Sequence, residues 1–112
     1  MATARILSGM RPTGKLHLGH YTGALENWVA QQNQCSADGN RAYDTYFLIA
    51  DYHTLTTSLS TDNVYDHSLD MLVDWLAAGI DPAKSPMFRQ SQVKQHAELF
   101  FLFSMLITSE RL

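Results

Sequence analysis

The chain has 112 residues, of which 46% are hydrophobic and 11% aromatic, a composition typical of one small globular domain rather than a disordered segment. A formal net charge of -3 argues against a general nucleic-acid coat, which needs a basic face. The single cysteine, Cys35, excludes an internal disulfide. With neither a signal peptide nor a run of about 20 apolar residues, the sequence predicts a cytoplasmic protein without a membrane span.

The first predicted elements are a strand over about residues 4–8 and a helix over about 18–32. Between them lies a loop punctuated by Gly9, Pro12 and Gly14. Five apolar residues at helical spacing form the predicted buried face of the helix: Leu18, Tyr21, Leu25, Trp28 and Val29. Gly23 and Ala24 are expected to allow close packing against a strand. A polar connection over 33–41 follows and contains Cys35, which we interpret as an incidental thiol.

The second strand is predicted over 43–50, and its continuously apolar end indicates a parallel strand covered on both faces. Asp51, Tyr52 and His53 follow at the carboxyl end of this strand, the edge where open α/β sheets bind ligands. A second helix, capped by Ser60 or Thr61, is predicted to extend to about Ala78 and to end at Gly79.

This second helix carries two sets of regularly spaced side chains. The predicted apolar stripe consists of Tyr65, Leu69, Leu72, Val73 and Leu76. Aspartates recur every four residues on the other side: Asp62, Asp66, Asp70 and Asp74. We interpret the aspartates as a solvated helix face rather than a metal site.

A third strand is predicted over 86–90 and a third helix from about Val93 to the end of the chain. This helix is apolar on nearly every side, which predicts burial all round. The β-α-β-α-β-α order predicts an α/β fold with a parallel sheet and right-handed crossovers. Because three strands leave open edges and the last helix lacks a partner, we expect residues 1–112 to be the first half of a nucleotide-binding domain from a longer chain.

Three glycine-loop patterns compete in the segment after the first strand. Residues 9–15 match the opening of a P-loop, but Leu16 occupies the magnesium-binding Ser/Thr position and Pro12 removes a backbone N–H. The glycines also lack the G-x-G-x-x-G spacing of a dinucleotide site. The third pattern, Pro12-Thr13-Gly14 followed by His17-Leu18-Gly19-His20, is present in full.

The third pattern suits a phosphate-bearing ligand. A helix start presents unpaired N–H groups and a partial positive charge to an anion. Gly19 would let the backbone approach a flat adenine or ribose, and His17 and His20 share one side of the first turn as potential donors to a reacting phosphate. The alternatives are surface histidines or a zinc site, although Cys35 and His53 belong to no ligand-spaced pair.

At these residues the sequence resembles the class I aminoacyl-tRNA synthetases, whose HIGH signature matches residues 17–20. More narrowly, it resembles the tryptophanyl-tRNA synthetase family in LSGMRPTG (7–14), GAL (23–25), ADYH (50–53), GIDP (79–82), QS (90–91) and ER (110–111). The resemblance implies a Rossmann-like catalytic domain, usually in a homodimer. It also implies ATP-dependent activation of tryptophan, with Mg²⁺ accompanying ATP, and transfer of the tryptophanyl group to tRNA(Trp).

The resemblance also implies roles for individual residues. Arg11, Pro12 and Thr13 would line the ATP phosphates, Gly19 would pack under the adenosine, and His17 and His20 would stabilise the transition state. Leu7, Gly9 and His53 would line the amino-acid side, with Leu7 replacing an often aromatic residue. The residues themselves predict no protein-held metal. The resemblance places the later strands, the KMSKS loop and the anticodon-binding helices beyond Leu112.

Two other functions remain open from the sequence. The first is a nucleotidylyltransferase, because such enzymes share the His-x-Gly-His pattern. The second is an inactive interaction module that binds a partner through the apolar third helix.

Overall fold

The fold is built on one parallel sheet, shown by a computed structural model that describes residues 3–57 and 60–107. Its strands are β1 (Ala4–Met10), β2 (Tyr43–Ile49) and β3 (Met87–Arg89), in the order β1-β2-β3. β1 pairs with β2 from Ala4–Tyr43 to Met10–Ile49, and β2 pairs with β3 over Phe47–Met87 to Ile49–Arg89. The predicted α/β class with a parallel sheet is confirmed.

Helices connect and follow the strands. After β1, an unbroken helix over 18–33, here termed the opening helix, comprises α1 (Leu18–His20), a π-helical turn (Tyr21–Leu25) and α2 (Glu26–Asn33). The other helical segments are α3 (Asp51–Thr54), α4 (Val64–Ala78), a 3-10 turn (Gln90–Gln92) and α5 (Gln95–Leu106). The sequence did not predict α3, because four residues are too few to show a helical period.

The core lies between one face of β2 and the two long helices. Phe47 and Ile49 are buried against Leu25 and Trp28 of the opening helix and against Met71 and Trp75 of α4. The Trp28 ring stacks on Phe47 with centroids 4.6 Å apart, and its edge-on contact with Trp75 is 5.3 Å. On the opposite face Tyr46 and Leu48 are only half-buried, so the expectation that β2 is covered on both faces is wrong for this chain.

The buried face of α4 differs from the predicted stripe. Its buried residues are Ser68, Met71 and Trp75, whereas Tyr65 and Val73 are 60% and 63% exposed. Apolar residues cover two arcs of this helix, and the arc that carries the large Trp75 side chain faces the sheet.

The ends of α4 were predicted with mixed success. Helix α4 begins at Val64 after Asn63, so neither Ser60 nor Thr61 is its N-cap as predicted; the Ser60 hydroxyl donates to Asp62 instead. Gly79 ends the helix in the left-handed conformation, at φ 108°, as predicted. The sequence therefore predicted the C-terminal end of α4 correctly and its N-terminal cap wrongly.

The opening helix matches its predicted apolar face only in part. Leu25 and Trp28 are buried, whereas Leu18 is 76% exposed and Tyr21 43% exposed. Gly23 is exposed with open space around it, so its predicted packing role is wrong.

Helix α5 is exposed along nearly its whole length, with only His96 half-buried. It contains no buried residue, and Phe100 is 74% exposed, so the prediction of burial on all sides is wrong for this chain. The predicted continuation of this helix over 108–112 lies outside the described residues. Within 3–57 and 60–107, no helix combines the length and apolar character needed to cross a bilayer.

The connection after the opening helix is a polar turn. Cys35 is exposed, and its backbone bridges to Arg41. Within the turn, hydrogen bonds from the Asn40 side chain and backbone hold the pKa of the Asp38 carboxyl below its usual value.

A buried glutamine joins the opening helix to the end of α4. The Gln32 side chain, 2% exposed, donates from Nε2 to the Gly79 carbonyl at 3.2 Å and accepts from the Asp81 N–H at 2.7 Å. We expect Gln32→Leu to lower the free energy of unfolding by about 2–4 kcal/mol, because both backbone groups lose their partner. Urea denaturation measures this loss. The exposed Gln34→Leu control should change stability by less than about 0.5 kcal/mol, and equal effects of the two variants would contradict the bridge.

Candidate functional site

The loop between β1 and the opening helix is anchored at several points. Its start is fixed where the Ala50 N–H donates to the Met10 carbonyl at 2.9 Å. Pro12 is buried, and Gly14 adopts φ 116°, a conformation that favours glycine. At the far end the Leu16 N–H donates to the Asp74 carboxylate of α4 at 3.3 Å. These contacts therefore fix the position of His17 at the start of the opening helix.

His17 and His20 lie together at the start of the opening helix. Their ring centroids are 4.0 Å apart, with the planes inclined at 48°. The Gly19 N–H donates to His17 Nδ1 at 3.1 Å, and the His17 N–H donates to His20 Nδ1 at 3.2 Å. The two imidazoles thus form a reciprocal cap, in which each ring accepts a backbone N–H that the helix start leaves unpaired.

This cap fixes the tautomer of each neutral ring. Because Nδ1 accepts a hydrogen bond in both His17 and His20, the ring proton of the neutral form must be on Nε2. No group in the described part of the chain forms a hydrogen bond with either Nε2. Both rings are therefore prepared to donate an N–H to an external acceptor such as a phosphate oxygen.

Gly19 has a structural role that the sequence did not reveal. A Cβ atom at this position would lie 3.0 Å from both Cε1 and Nδ1 of His17. The glycine is needed to seat the His17 ring over the helix start, in addition to the predicted approach of the backbone to a nucleotide.

We expect Gly19→Ala to displace the His17 ring and to lower any activity that depends on it by about 10-fold or more, because small misplacements of reacting groups are costly. Gly23→Ala is the matched control, since a Cβ there meets open space in the same helix. It should retain activity and gain up to about 1 kcal/mol of stability from helix propensity. Steady-state kinetics and thermal melts of both variants test this, and equal activities would contradict the role of Gly19.

Arg11 carries a positive charge beside this loop. Its Nη1 atom lies 3.4 Å from the Thr56 hydroxyl and 3.5 Å from the Thr57 hydroxyl, in the segment after α3. Both partners are neutral, and within the described residues no carboxylate forms an ion pair with Arg11. The guanidinium charge therefore stays available to an anion.

A second group of predicted residues lies at the sheet edge. Leu7 and Gly9 share the face of β1 that lacks the helices, and Gly9 pairs with Leu48. His53 follows β2 as predicted and lies in α3, with Nδ1 2.9 Å from Gln90 Oε1. A cavity of about 340 Å³ opens beside it, lined by Tyr52, His53, Thr56, Gln90, His96, Ala97 and Phe100.

The position of α3 depends on Asp51, which the sequence placed at the ligand-binding edge without indicating its partner. The Asp51 carboxylate accepts the Ser91 N–H at 3.0 Å and also the Ser91 hydroxyl. Together with the His53–Gln90 contact, this ties segments 50–53 and 90–91 to each other. No local signal in the sequence could have revealed this contact, because Asp51 and Ser91 are 40 positions apart.

The histidines and the aspartate row contain the candidate metal ligands of this chain. In the described ranges no three His, Cys, Asp or Glu side chains lie close enough together to hold a metal ion. Asp62, Asp66 and Asp70 are exposed, as predicted for a solvated face, whereas Asp74 is half-buried by its contact with Leu16.

Comparison with known proteins places this chain in a family. The family described as "tRNA synthetases class I (W and Y)" matches residues 2–112. The chain is 51% identical over 106 residues to a tryptophan–tRNA ligase of Ralstonia nicotianae, covering 94% of this chain and 24% of that protein. It is 50% identical over 109 residues to the corresponding ligase of Thermotoga maritima, covering 96% and 31%. The chain thus spans about a quarter to a third of these relatives' length.

Solved structures agree with this placement. Tryptophanyl-tRNA synthetase from Campylobacter jejuni, determined with ADP and tryptophan, is 34% identical and superposes with a TM-score of 0.78 over 93% of this chain and 30% of that one. A tyrosyl-tRNA synthetase from Archaeoglobus fulgidus, 19% identical, shares the fold with a TM-score of 0.75 over 96% of this chain and 32% of that one. The predicted resemblance is confirmed, and the chain belongs to the class I tRNA synthetases of the tryptophan and tyrosine family.

Proposed function

We propose that this chain is the N-terminal, ATP-binding part of the catalytic domain of a cytoplasmic tryptophan–tRNA ligase. The whole protein would form tryptophanyl-adenylate from tryptophan and ATP, release pyrophosphate and transfer the tryptophanyl group to tRNA(Trp). The observation that carries the proposal is the His17–His20 pair, whose Nδ1 atoms are occupied by backbone N–H groups. The names of the matched relatives favour this function over a cofactor nucleotidylyltransferase.

The reaction needs stabilisation of charge and little covalent chemistry from the protein. The tryptophan carboxylate attacks the α-phosphorus, and the bond to the pyrophosphate oxygen breaks. Negative charge then grows on the phosphoryl oxygens, where the Nε2–H groups of His17 and His20 donate. Their fixed tautomers mean that no ring has to reorient during the step.

The neighbouring residues bind the ATP. Arg11 supplies positive charge to the phosphates, and buried Pro12 and the adjoining Thr13 shape the loop that holds them. Gly19 faces the adenosine, where the bare backbone permits close approach. Magnesium enters with the nucleotide as MgATP.

Tryptophan would bind on the sheet side of the same loop. Gly9 and Leu7 offer an open, apolar face of β1, and His53 borders the cavity between α3 and α5. The contact between His53 Nδ1 and Gln90 Oε1 restricts the His53 side chain to one rotamer. In this proposal the carboxyl ends of β1 and β2 would lie between the two ligands.

Tryptophan-dependent exchange of pyrophosphate into ATP tests this proposal in a protein of the relatives' length that carries this chain. We expect exchange with tryptophan and little with tyrosine, the matched control from the same family. Exchange with tyrosine in place of tryptophan would contradict the proposed substrate, and absence of exchange with either would contradict the proposed activity.

We also propose that the protein forms a homodimer in which α5 is part of the interface. The exposed apolar side chains of α5 support this: Leu99, Phe100, Phe101, Leu102, Met105 and Leu106. We expect the 112-residue chain to self-associate in sedimentation experiments. Phe100→Glu should weaken the association, whereas the exposed control Gln95→Glu on the same helix should not. A monomer at all concentrations would contradict the interface.

A further inference from the structure

We infer that Asp74 is a positioning residue for the His17–His20 pair, acting through the backbone of Leu16. Asp74 lies in α4, far from the signature in sequence, yet its Oδ2 accepts the Leu16 N–H at 3.3 Å. Leu16 directly precedes His17, the N-cap of the opening helix. This inference rests on the proposed function, since it concerns the geometry of the proposed adenylation site.

Asp74 differs from the other aspartates in its row. Asp62, Asp66 and Asp70 are exposed, whereas Asp74 is half-buried and lines one crevice with Leu16 and His17. A partly buried contact to a charged acceptor is screened less than a surface contact, and its loss leaves a donor without a partner. The Asp74–Leu16 hydrogen bond is therefore a restraint on the loop that a surface aspartate would not provide.

The restraint is transmitted from a rigid element. Helix α4 is fixed in the core by Met71 and Trp75, both with 0% exposure, and Trp75 is the immediate neighbour of Asp74. Three neighbouring backbone N–H groups donate to side chains. The Leu16 N–H donates to Asp74, the His17 N–H to the His20 ring, and the Gly19 N–H to the His17 ring. These three bonds fall within residues 16–19. The position of the two imidazoles therefore depends on α4 through Asp74.

Three variants of the proposed ligase test the inference by kinetics. Asp74→Ala should lower kcat for tryptophanyl-adenylate formation by about 10-fold through misplacement of the histidines, with KM for tryptophan changed by less than about twofold. Asp74→Asn keeps an acceptor oxygen and should recover most of the loss. Asp70→Ala removes the same charge from an exposed site one turn away and should match the unmutated protein.

Hydrogen exchange at the Leu16 amide gives a readout that does not need activity. We expect exchange to be at least about fivefold faster in Asp74→Ala than in the unmutated protein, Asp74→Asn or Asp70→Ala, because only the first lacks the acceptor. Equal Leu16 exchange in Asp74→Ala and Asp70→Ala would overturn the inference. An Asp74→Asn variant with a kcat as low as that of Asp74→Ala would also overturn it, since the charge and not the hydrogen bond would then matter. If the unmutated ligase showed no tryptophan-dependent exchange of pyrophosphate, the proposed function would fail, while Leu16 exchange would still decide the restraint.

Discussion

Replacing His20 with alanine is expected to lower the rate of tryptophanyl-adenylate formation by about 10² or more, the usual cost of removing one donor from a developing anion. Tryptophan binding should be largely unchanged, because the lost interaction forms only in the transition state. Pre-steady-state measurement of adenylate formation in the proposed full-length ligase would test this expectation.

The His20 side chain also caps the helix start, so the alanine variant alone is ambiguous. His20→Asn separates the two roles, because an asparagine places Oδ1 close to where His20 Nδ1 accepts the His17 N–H but has no counterpart of Nε2. We expect His20→Asn to be as slow as His20→Ala within about threefold, since both lack the Nε2–H donor. If His20→Asn formed the adenylate at the normal rate, His20 would act only as a helix cap and not as a donor to the phosphate.

Gly9→Ala is expected to cost about 1–3 kcal/mol of stability, as overpacking does in close-packed regions. A Cβ at Gly9 would lie 2.6 Å from Leu48 Cγ and equally close to the Leu48 carbonyl oxygen. The side-chain atom can move, but the carbonyl oxygen belongs to the strand that pairs with β1. The strands must therefore shift at the edge where the proposed substrates meet.

Urea denaturation of Gly9→Ala and of the double variant Gly9→Ala/Leu48→Ala would identify the source of this cost. Relative to Leu48→Ala alone, Gly9→Ala should still cost stability, although less than it does in the unmutated chain. The contact with Leu48 Cγ is then gone, but the contact with the carbonyl oxygen remains. Leu7→Ala, on the same face of β1 and 56% exposed in the unmutated chain, is the control and should cost less than about 1 kcal/mol. An unchanged midpoint for Gly9→Ala would contradict the tight approach of the strands.

Local signals in the sequence were enough to predict the strand and helix order. The apolar end of β2 and the turn chemistry of Gly79 depend on near neighbours, and both were located correctly. The His-x-Gly-His signature was likewise found at a helix start, because its residues lie within one turn. The catalytic and ligand-binding roles of all the site residues, including His17 and His20, stay predictions.

Other features depend on partners that are distant in sequence. Leu16 meets Asp74, Gln32 meets Asp81, and Asp51 meets Ser91, each across at least 40 positions. Periodicity also failed on α4, where two apolar arcs compete and only packing against the sheet selects Met71 and Trp75. On α5 the apolar pattern predicted burial, but the described part of the chain supplies no surface to cover it.

The two tryptophan residues of this chain, Trp28 and Trp75, contact each other edge-on in the core. Both indoles are shielded from solvent, with exposures of 5% and 0%. Their intrinsic fluorescence should therefore be blue-shifted in the native state and red-shifted when the sheet and helices separate. Emission from these two residues would follow unfolding directly, and its wavelength shift during urea titration would report on the core rather than on the nucleotide loop.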